Sequence, residues 1–390
     1  MQNDYQNIAD QTSPLGDRGG YLGDREGFGG NFIIAGGGTG GHIFPAIAIA
    51  NAIKKIQPNA TILFIGAKGK MEMEKVPQAG YQIKGLDIAG FNRSSLIKNI
   101  GLPFKIIKSF FQVANIFKTF KADAVIGVGG YSSFPVLKYA QRKGIPTFIH
   151  ESNSFAGKSN ILLGKKATAV FTASDGMENF FPVNKILVTG NPVRQSISHS
   201  TVSREEALQF FNLDKNKKTV LVIGGSLGAK SINEAIDKNI TFFAENNLQL
   251  IWQTGKPYFE KASATVKGIE SVFMKDFITQ MEYAYAAADI IISRSGAMAV
   301  AEICLIGKPV IFVPYPHAAE DHQTANAMAL VNKKAARIVK DENAQIELIP
   351  ALLDLIKNET LQTEMKNNIT KLAIRNADEV IANEIINKIK

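Results

Sequence analysis

The chain has 390 residues, more than one ordinary hydrophobic core accommodates, so two domains are expected. Hydrophobic residues make up 45% and charged residues 20%, which excludes a disordered or fibrous chain. The formal charge of +9 points to an anionic partner (nucleic acid, acidic lipid or a phosphorylated substrate), and no run approaches the roughly 18 apolar residues that a membrane-spanning helix needs.

Residues 1–30 carry Asp4, Asp10, Asp17, Asp24 and Glu26 and no apolar stretch, so they read as a disordered tail and not as a signal peptide. Residues 31–35 predict a strand, and 45–56 a helix with Pro45 in its first turn. Further strands are expected at 61–65, 81–88, 124–128 and 147–149. They are apolar at successive positions, as strands buried on both faces are. Strand–helix alternation predicts a parallel, doubly wound sheet. The pattern restarts at 219–223, with a helix from Ala229 and strands at 249–252, 271–274, 290–293 and 310–313. The expected organisation is a tail (1–30), two Rossmann-like domains (31–195 and 196–375) and an amphipathic C-terminal helix (376–390) packing back on the first domain. The single cysteine, Cys304, lies in an apolar helical pattern and reads as a small buried hydrophobe, in keeping with a reducing compartment.

Gly36, Gly37, Gly38, Thr39, Gly40, Gly41 and His42 join the first strand to the first helix. Glycines let the backbone approach a ligand, and the helix start offers free N–H groups to a phosphate. The run satisfies the dinucleotide fingerprint G-x-G-x-x-G, but that reading needs an acid at the end of the second strand. Here that strand runs into Lys68, Gly69 and Lys70, with no acid before Glu72. A second turn, Gly224 to Ser231, is one residue from a Walker A loop, with Ala229 where glycine is required. Both decoys fall away. Two glycine turns, one per domain and each opening a helix, suit a ligand held in a cleft between the domains.

Seven segments, in order, carry a resemblance: Gly37 to His42, Gly129-Gly130-Tyr131-Ser132, His150-Glu151-Ser152-Asn153, Gly190-Asn191-Pro192-Val193-Arg194, Gly224 to Ala229, Ser293-Arg294-Ser295-Gly296-Ala297, and His322-Gln323 followed by Asn326-Ala327. From about Asn31 onward the chain resembles the MurG family of bacterial N-acetylglucosaminyltransferases. It departs from that family's commoner glutamines at Ser152 and Leu227. The resemblance implies an α/β chain of the GT-B fold, two Rossmann-like domains with parallel sheets facing a cleft, and no metal or cofactor. It implies inverting transfer of N-acetylglucosamine from UDP-N-acetylglucosamine to the 4-hydroxyl of the N-acetylmuramyl sugar of undecaprenyl-linked lipid I, giving lipid II for peptidoglycan. It also implies a peripheral location at the cytoplasmic face of the inner membrane, with cell-wall synthesis and division proteins as partners. Alternatives within the fold are another UDP-sugar-dependent glycolipid transferase or a UDP-sugar epimerase. A nucleic-acid-binding protein, the reading from another class, lacks any recognisable motif.

Carried onto this sequence, the resemblance assigns the donor to Asn153, Arg194, Ser226, Ile278, Glu302 and Gln323, together with Ala297, Met298, Ala299, Val300 and Ala301 at a helix start. Thr39, Gly40 and Gly41 serve either the donor or the acceptor pyrophosphate, which Gly129, Gly130, Tyr131 and Ser132 would also cradle. His42 is the favoured base, since imidazole titrates near working pH, against a role as cap or phosphate ligand; Glu151 is the alternative base. Between Arg93 and Lys121 six basic residues and no acid are interleaved with Leu96, Ile97, Ile100 and Phe104. With Lys98 and Lys105, these four form the expected contact with an anionic membrane. Phe110, Val113 and Phe117 have helical spacing and are expected to face inward.

Overall fold

The computed structural model describes residues 29–90, 101–225 and 227–389. The first half runs β1 (Asn31–Ala35), α1 (Gly40–Ile56), β2 (Thr61–Ala67), α2 (Glu72–Gln78), β3 (Gln82–Leu86), α3 (Leu102–Thr119), β4 (Ala124–Gly127), α4 (Ser133–Arg142), β5 (Thr147–Glu151), α5 (Lys158–Gly164), β6 (Ala169–Thr172) and β7 (Ile186–Val188). A short helix, α6 (Gln195–Ser198), leads into the second half: α7 (Arg204–Phe210), β8 (Lys218–Ile223), α8 (Lys230–Lys238), α9 (Ile240–Glu245), β9 (Leu248–Gln253), α10 (Lys256–Thr265), β10 (Val272–Lys275), α11 (Met281–Ala287), β11 (Ile290–Ser293), α12 (Ala297–Ile306), β12 (Val310–Phe312), α13 (His322–Val331), β13 (Arg337–Ile338), α14 (Ala344–Lys357), α15 (Glu359–Thr370) and α16 (Ala377–Lys388).

The strands form two parallel sheets, ordered β3-β2-β1-β4-β5-β6-β7 and β10-β9-β8-β11-β12-β13. Successive side chains of a strand point to opposite faces. Phe32 and Ile34 of β1 therefore enter the cluster under α1, while Ile33 and Ala35 enter the one on the other face. Helices cover both faces, which explains why the strands are apolar without alternation. α16 returns across the molecule, and Ile381, Ile385 and Ile386 are buried with Ile49 and Ile53 of α1. Each fully buried isoleucine contributes about 1.5–3 kcal/mol, enough to hold the C-terminus on the first half.

Three strands go beyond the sequence reading, as do several helices, α2 among them. β7 and β13 are sheet-edge strands of three and two residues whose side chains are not fully buried, so no apolar run marks them. β6 is buried but only four residues long, and α2 carries Pro77 near its end. The tail expected at 1–30 lies outside the described residues except for Gly29 and Gly30, as do Leu96, Ile97, Lys98, Ile100 and Ser226.

Candidate active site

Each sheet reverses its strand order at its middle, between β1 and β4 in the first and between β8 and β11 in the second. Loops diverge at such a switch point and leave a crevice at the carboxyl ends of the strands. Both glycine turns lie there.

In the first half, the turn after β1 packs backbone to backbone against the turn after β4. Gly37 N–H donates to the Gly129 carbonyl at 3.4 Å. A Cβ on Gly130 would stand 2.5 Å from the Gly37 carbonyl oxygen, and one on Gly129 would stand 2.8 Å from the His42 ring. Only glycine permits this approach, and Gly37, Gly38, Gly129 and Gly130 all have positive φ. Thr39 is the N-cap of α1, and Gly40 and Gly41 form its first turn, with amides open to a ligand.

His42 is held with one nitrogen committed. Its Nδ1 lies 3.0 Å from the Gly37 carbonyl oxygen, which can only accept, so Nδ1 carries the proton and Nε2 keeps its lone pair. Burial lowers the His42 pKa, opposed by the Gly37 hydrogen bond and by the charges of Glu151 and Glu72. The imidazole is therefore neutral at pH 7.

Glu151 is placed differently. It is buried, and its carboxylate accepts from Asn153 N–H (3.1 Å), Asn153 Nδ2 (3.3 Å), Gly157 N–H (3.0 Å) and Asn160 Nδ2 (2.8 Å). Four donors on two oxygens make it the anchor of the loop after β5. Its neighbour His150 is fully buried, which pushes its pKa down to about 4. Tyr131 is half-buried beside Gly90, its phenol pKa raised by burial, and Ser132 is buried at the start of α4.

The two halves meet along a polar seam. Asn326 of α13 accepts from Ser154 N–H at 2.9 Å and donates to Asn153 Oδ1 at 3.3 Å and to the Ser295 carbonyl at 3.1 Å. Asn191 donates to the carbonyls of Ser152 (3.0 Å) and Ala297 (3.3 Å). Asn153 thus faces the second half directly.

In the second half, Gln253 at the end of β9 links the glycine turn to the loop carrying Ile278. Its Nε2 donates to the Gly225 carbonyl at 3.0 Å, and its Oε1 accepts from Ile278 N–H at 2.9 Å. The Ile278 N–H is therefore already taken, which leaves its carbonyl. Gln323 Oε1 accepts from Tyr315 N–H at 3.0 Å, leaving its Nε2. Ala297, Met298, Ala299, Val300 and Ala301 form the first turns of α12, whose N-terminus opens on the seam.

Arg194 and Glu302, both assigned to the donor by the resemblance, are joined to each other. Arg194 donates through Nε (3.1 Å) and Nη2 (2.9 Å) to Glu302 Oε1, and Tyr285 Oη donates to Oε2 at 2.9 Å. The Arg194 guanidinium also lies 5.7 Å from the Phe44 ring centroid on α1. The pair therefore ties the second half to the first. Sequence reasoning missed Gln253, Tyr285, Phe44 and Glu72, because their partners lie in distant segments.

On the face of the first sheet opposite α1, α3 is apolar on two faces. Val113 and Phe117 are buried, whereas Phe104, Ile107 and Phe111, spaced i, i+3 and i+7, are 76%, 56% and 70% exposed. Lys105 is exposed beside them, and Lys108 is paired with Asp87 at 2.9 Å. Among the described residues no helix is long and apolar enough to cross a membrane.

Two parallel-sheet halves with nucleotide-type turns facing one crevice are the architecture of a GT-B glycosyltransferase. Residues 32–172 match the glycosyltransferase family 28 N-terminal domain and residues 219–383 the family 28 C-terminal domain. The chain is 51% identical, over 91% of its length and 94% of the relative's, to the UDP-N-acetylglucosamine--N-acetylmuramyl-(pentapeptide) pyrophosphoryl-undecaprenol N-acetylglucosamine transferase of Bacteroides fragilis. The protein of the same name from Flavobacterium psychrophilum is 50% identical over 91% of this chain and 96% of its own length. The crystal structure of Acinetobacter baumannii MurG superposes with a TM-score of 0.76 at 31% identity, covering 92% of this chain and 99% of that one. A UDP-GlcNAc 2-epimerase from Neisseria meningitidis bound to UDP-GlcNAc shares the fold, with a TM-score of 0.62 at 16% identity over 92% of this chain and all of that one. The chain belongs to glycosyltransferase family 28 and, within it, to the MurG family.

Proposed function

We infer that this chain transfers N-acetylglucosamine from UDP-N-acetylglucosamine to the 4-hydroxyl of the N-acetylmuramyl-pentapeptide carried on pyrophosphoryl-undecaprenol, converting lipid I to lipid II. The observation that carries this reading is the 51% identity over 91% of the chain to a relative of that name. In this reading the acceptor lies against the first half and the donor against the second.

His42 is the base. Its Nε2 takes the proton of the acceptor hydroxyl as the oxygen attacks the anomeric carbon, and UDP departs with the electrons of the broken glycosidic bond. Glu151 serves as the loop anchor, since its oxygens are saturated with donors. The amides of Thr39, Gly40 and Gly41 meet the acceptor pyrophosphate together with Gly129, Gly130, Tyr131 and Ser132. The N-terminus of α12 and the turn bearing Ser226 receive the leaving diphosphate, where backbone donors and the helix dipole favour negative charge. Glu302 turns toward the ribose hydroxyls as Arg194 exchanges it for phosphate. The Ile278 carbonyl reads the base, and Gln323 Nε2 with Asn153 reads the sugar.

The outward face of α3, with Phe104 and Lys105 beside Ile107 and Phe111, seats the enzyme on the anionic cytoplasmic leaflet of the inner membrane, where the acceptor resides. Incubating the chain with UDP-N-acetylglucosamine and a short-chain lipid I analogue should yield the disaccharide product and UDP. Conversion of the donor to UDP-N-acetylmannosamine, or no turnover with this acceptor, would overturn the reading.

A further inference from the structure

Glu72 begins α2 outside all seven motifs, yet its carboxylate lies inside the first glycine turn. The residue is 1% exposed, and among the described residues it forms no ion pair with lysine or arginine. Burying an uncompensated carboxylate is costly, so its surroundings must supply donors. Oε1 accepts from Ala67 N–H at 2.9 Å, and Oε2 accepts from Gly38 N–H at 2.9 Å. The slot is shaped for it: a Cβ on Gly37 would stand 2.3 Å from its carboxyl carbon, and one on Gly66 2.5 Å from its Cγ.

Gly38 N–H and the Gly37 carbonyl belong to one peptide unit. Glu72 holds the N–H end of that unit, and the carbonyl end accepts the Nδ1 proton of His42 at 3.0 Å. A carboxylate, a peptide and an imidazole thus stand in series. Hydrogen bonds in a chain polarise one another, so the carboxylate strengthens the carbonyl as an acceptor. A carboxylate bound directly to a catalytic histidine fixes its tautomer and supports its protonated form. Here the peptide passes that influence on.

We propose that Glu72 is a positioning residue for His42, acting through the Gly37–Gly38 peptide to fix the ring and its tautomer. This rests on the reading of His42 as the base. The charged and titratable groups facing the imidazole are Glu72 from α2, Glu151 and His150 from β5, and His322 at the start of α13. Glu72 is the one joined to it through the Gly37–Gly38 peptide.

The test measures transfer from pH 5 to 9 in the full chain, with His42→Ala, Glu72→Gln and the double variant. Glu72→Gln should lower kcat about 10- to 100-fold, the scale of a misplaced reacting group, and leave the donor KM within about twofold. Its acid limb should move to lower pH, because the lost negative charge supported protonated His42. In the His42→Ala background Glu72→Gln should cost nothing further, since both act on one step. Additive losses, or a rate loss with an unmoved acid limb, would reduce Glu72 to a fold-stabilising role and overturn the proposal. Near-normal kcat in His42→Ala would instead remove the base assignment itself. If Glu72→Gln does not fold, Glu72→Asp gives the same decision. It keeps the charge but withdraws from Gly38, so the rate should fall in the wild-type background and fall no further in His42→Ala; an unchanged rate or an additive loss would overturn the proposal.

Discussion

The two glycine turns occupy the same place in their respective halves, after the central strand and at the switch point, yet they are filled differently. The first is occupied from within: Glu72 takes the Gly38 amide, His42 takes the Gly37 carbonyl, and Gly129 and Gly130 close against both. The second is braced from behind. Gln253 holds the Gly225 carbonyl, and Gly228 abuts the Thr254 carbonyl so closely that a Cβ would stand 1.9 Å from it. Leu227 at its tip is 78% exposed. The Gly37–Gly38 end of the first turn, which holds the carboxylate, is suited to orient an imidazole, while the Thr39–Gly41 amides beyond it stay free for the acceptor pyrophosphate of the proposed reading. A braced turn with open amides is suited to the phosphate. On the proposed reading, one backbone device serves the base and the acceptor in the first half and the donor diphosphate in the second.

The comparison breaks most sharply at His42. His42→Ala should lower kcat by about 10²–10⁴-fold and leave UDP affinity unchanged, measured by steady-state kinetics and calorimetry. With His42 as the proposed base, the required form is neutral imidazole. Since burial lowers its pKa, the rate should hold through pH 7 and fall only when acidification passes below the ordinary histidine range. Equal loss of kcat and UDP affinity in His42→Ala would mean that both turns share one task.

A smaller effect is expected across the cleft. Glu302→Ala should raise the donor KM about 10- to 100-fold, since charge-assisted hydrogen bonds contribute about 1.5–3 kcal/mol. The acceptor KM should stay the same in a chain whose melting curve confirms folding. If the acceptor KM rises as much, the Arg194–Glu302–Phe44 link transmits to the first half, and the division of labour fails.

The smallest effect sharpens the contrast between the outer surfaces of the halves. Lys105→Gln should weaken binding to anionic vesicles about fivefold, the equivalent of about 1 kcal/mol for one basic residue at such a surface. Raising the ionic strength should weaken it further, because exposed charges are screened. Phe104→Ser combined with Phe111→Ser should weaken binding to neutral vesicles as well. Binding unaffected by any of these changes would move the membrane contact away from α3.

Much of this was legible without coordinates. The β1 and β11 boundaries coincide with the expected runs, and both turns follow apolar strands as the glycine spacing demands. Val113 and Phe117 face inward as their helical spacing predicts, whereas Ile107 and Phe111 join Phe104 on the outside, which periodicity alone does not decide. The edge strands β7 and β13 escaped notice because little of them is buried.

The sequence by itself determined the local devices: where strands are buried on both faces, where glycine opens the backbone, where a helix start presents amides, and which half carries each turn. These depend on neighbours a few residues apart, and side-chain periodicity and φ preference report them directly. The tertiary structure decided the partnerships. Glu72 reaches the amide of Gly38, 34 residues earlier, Gln253 braces a turn 28 residues earlier, and Arg194 meets Glu302 across 108 residues. In a parallel sheet each strand returns through a crossover helix, so groups side by side at the carboxyl edge come from well-separated stretches of chain. No local pattern encodes such a meeting; it exists only once the strand order is set.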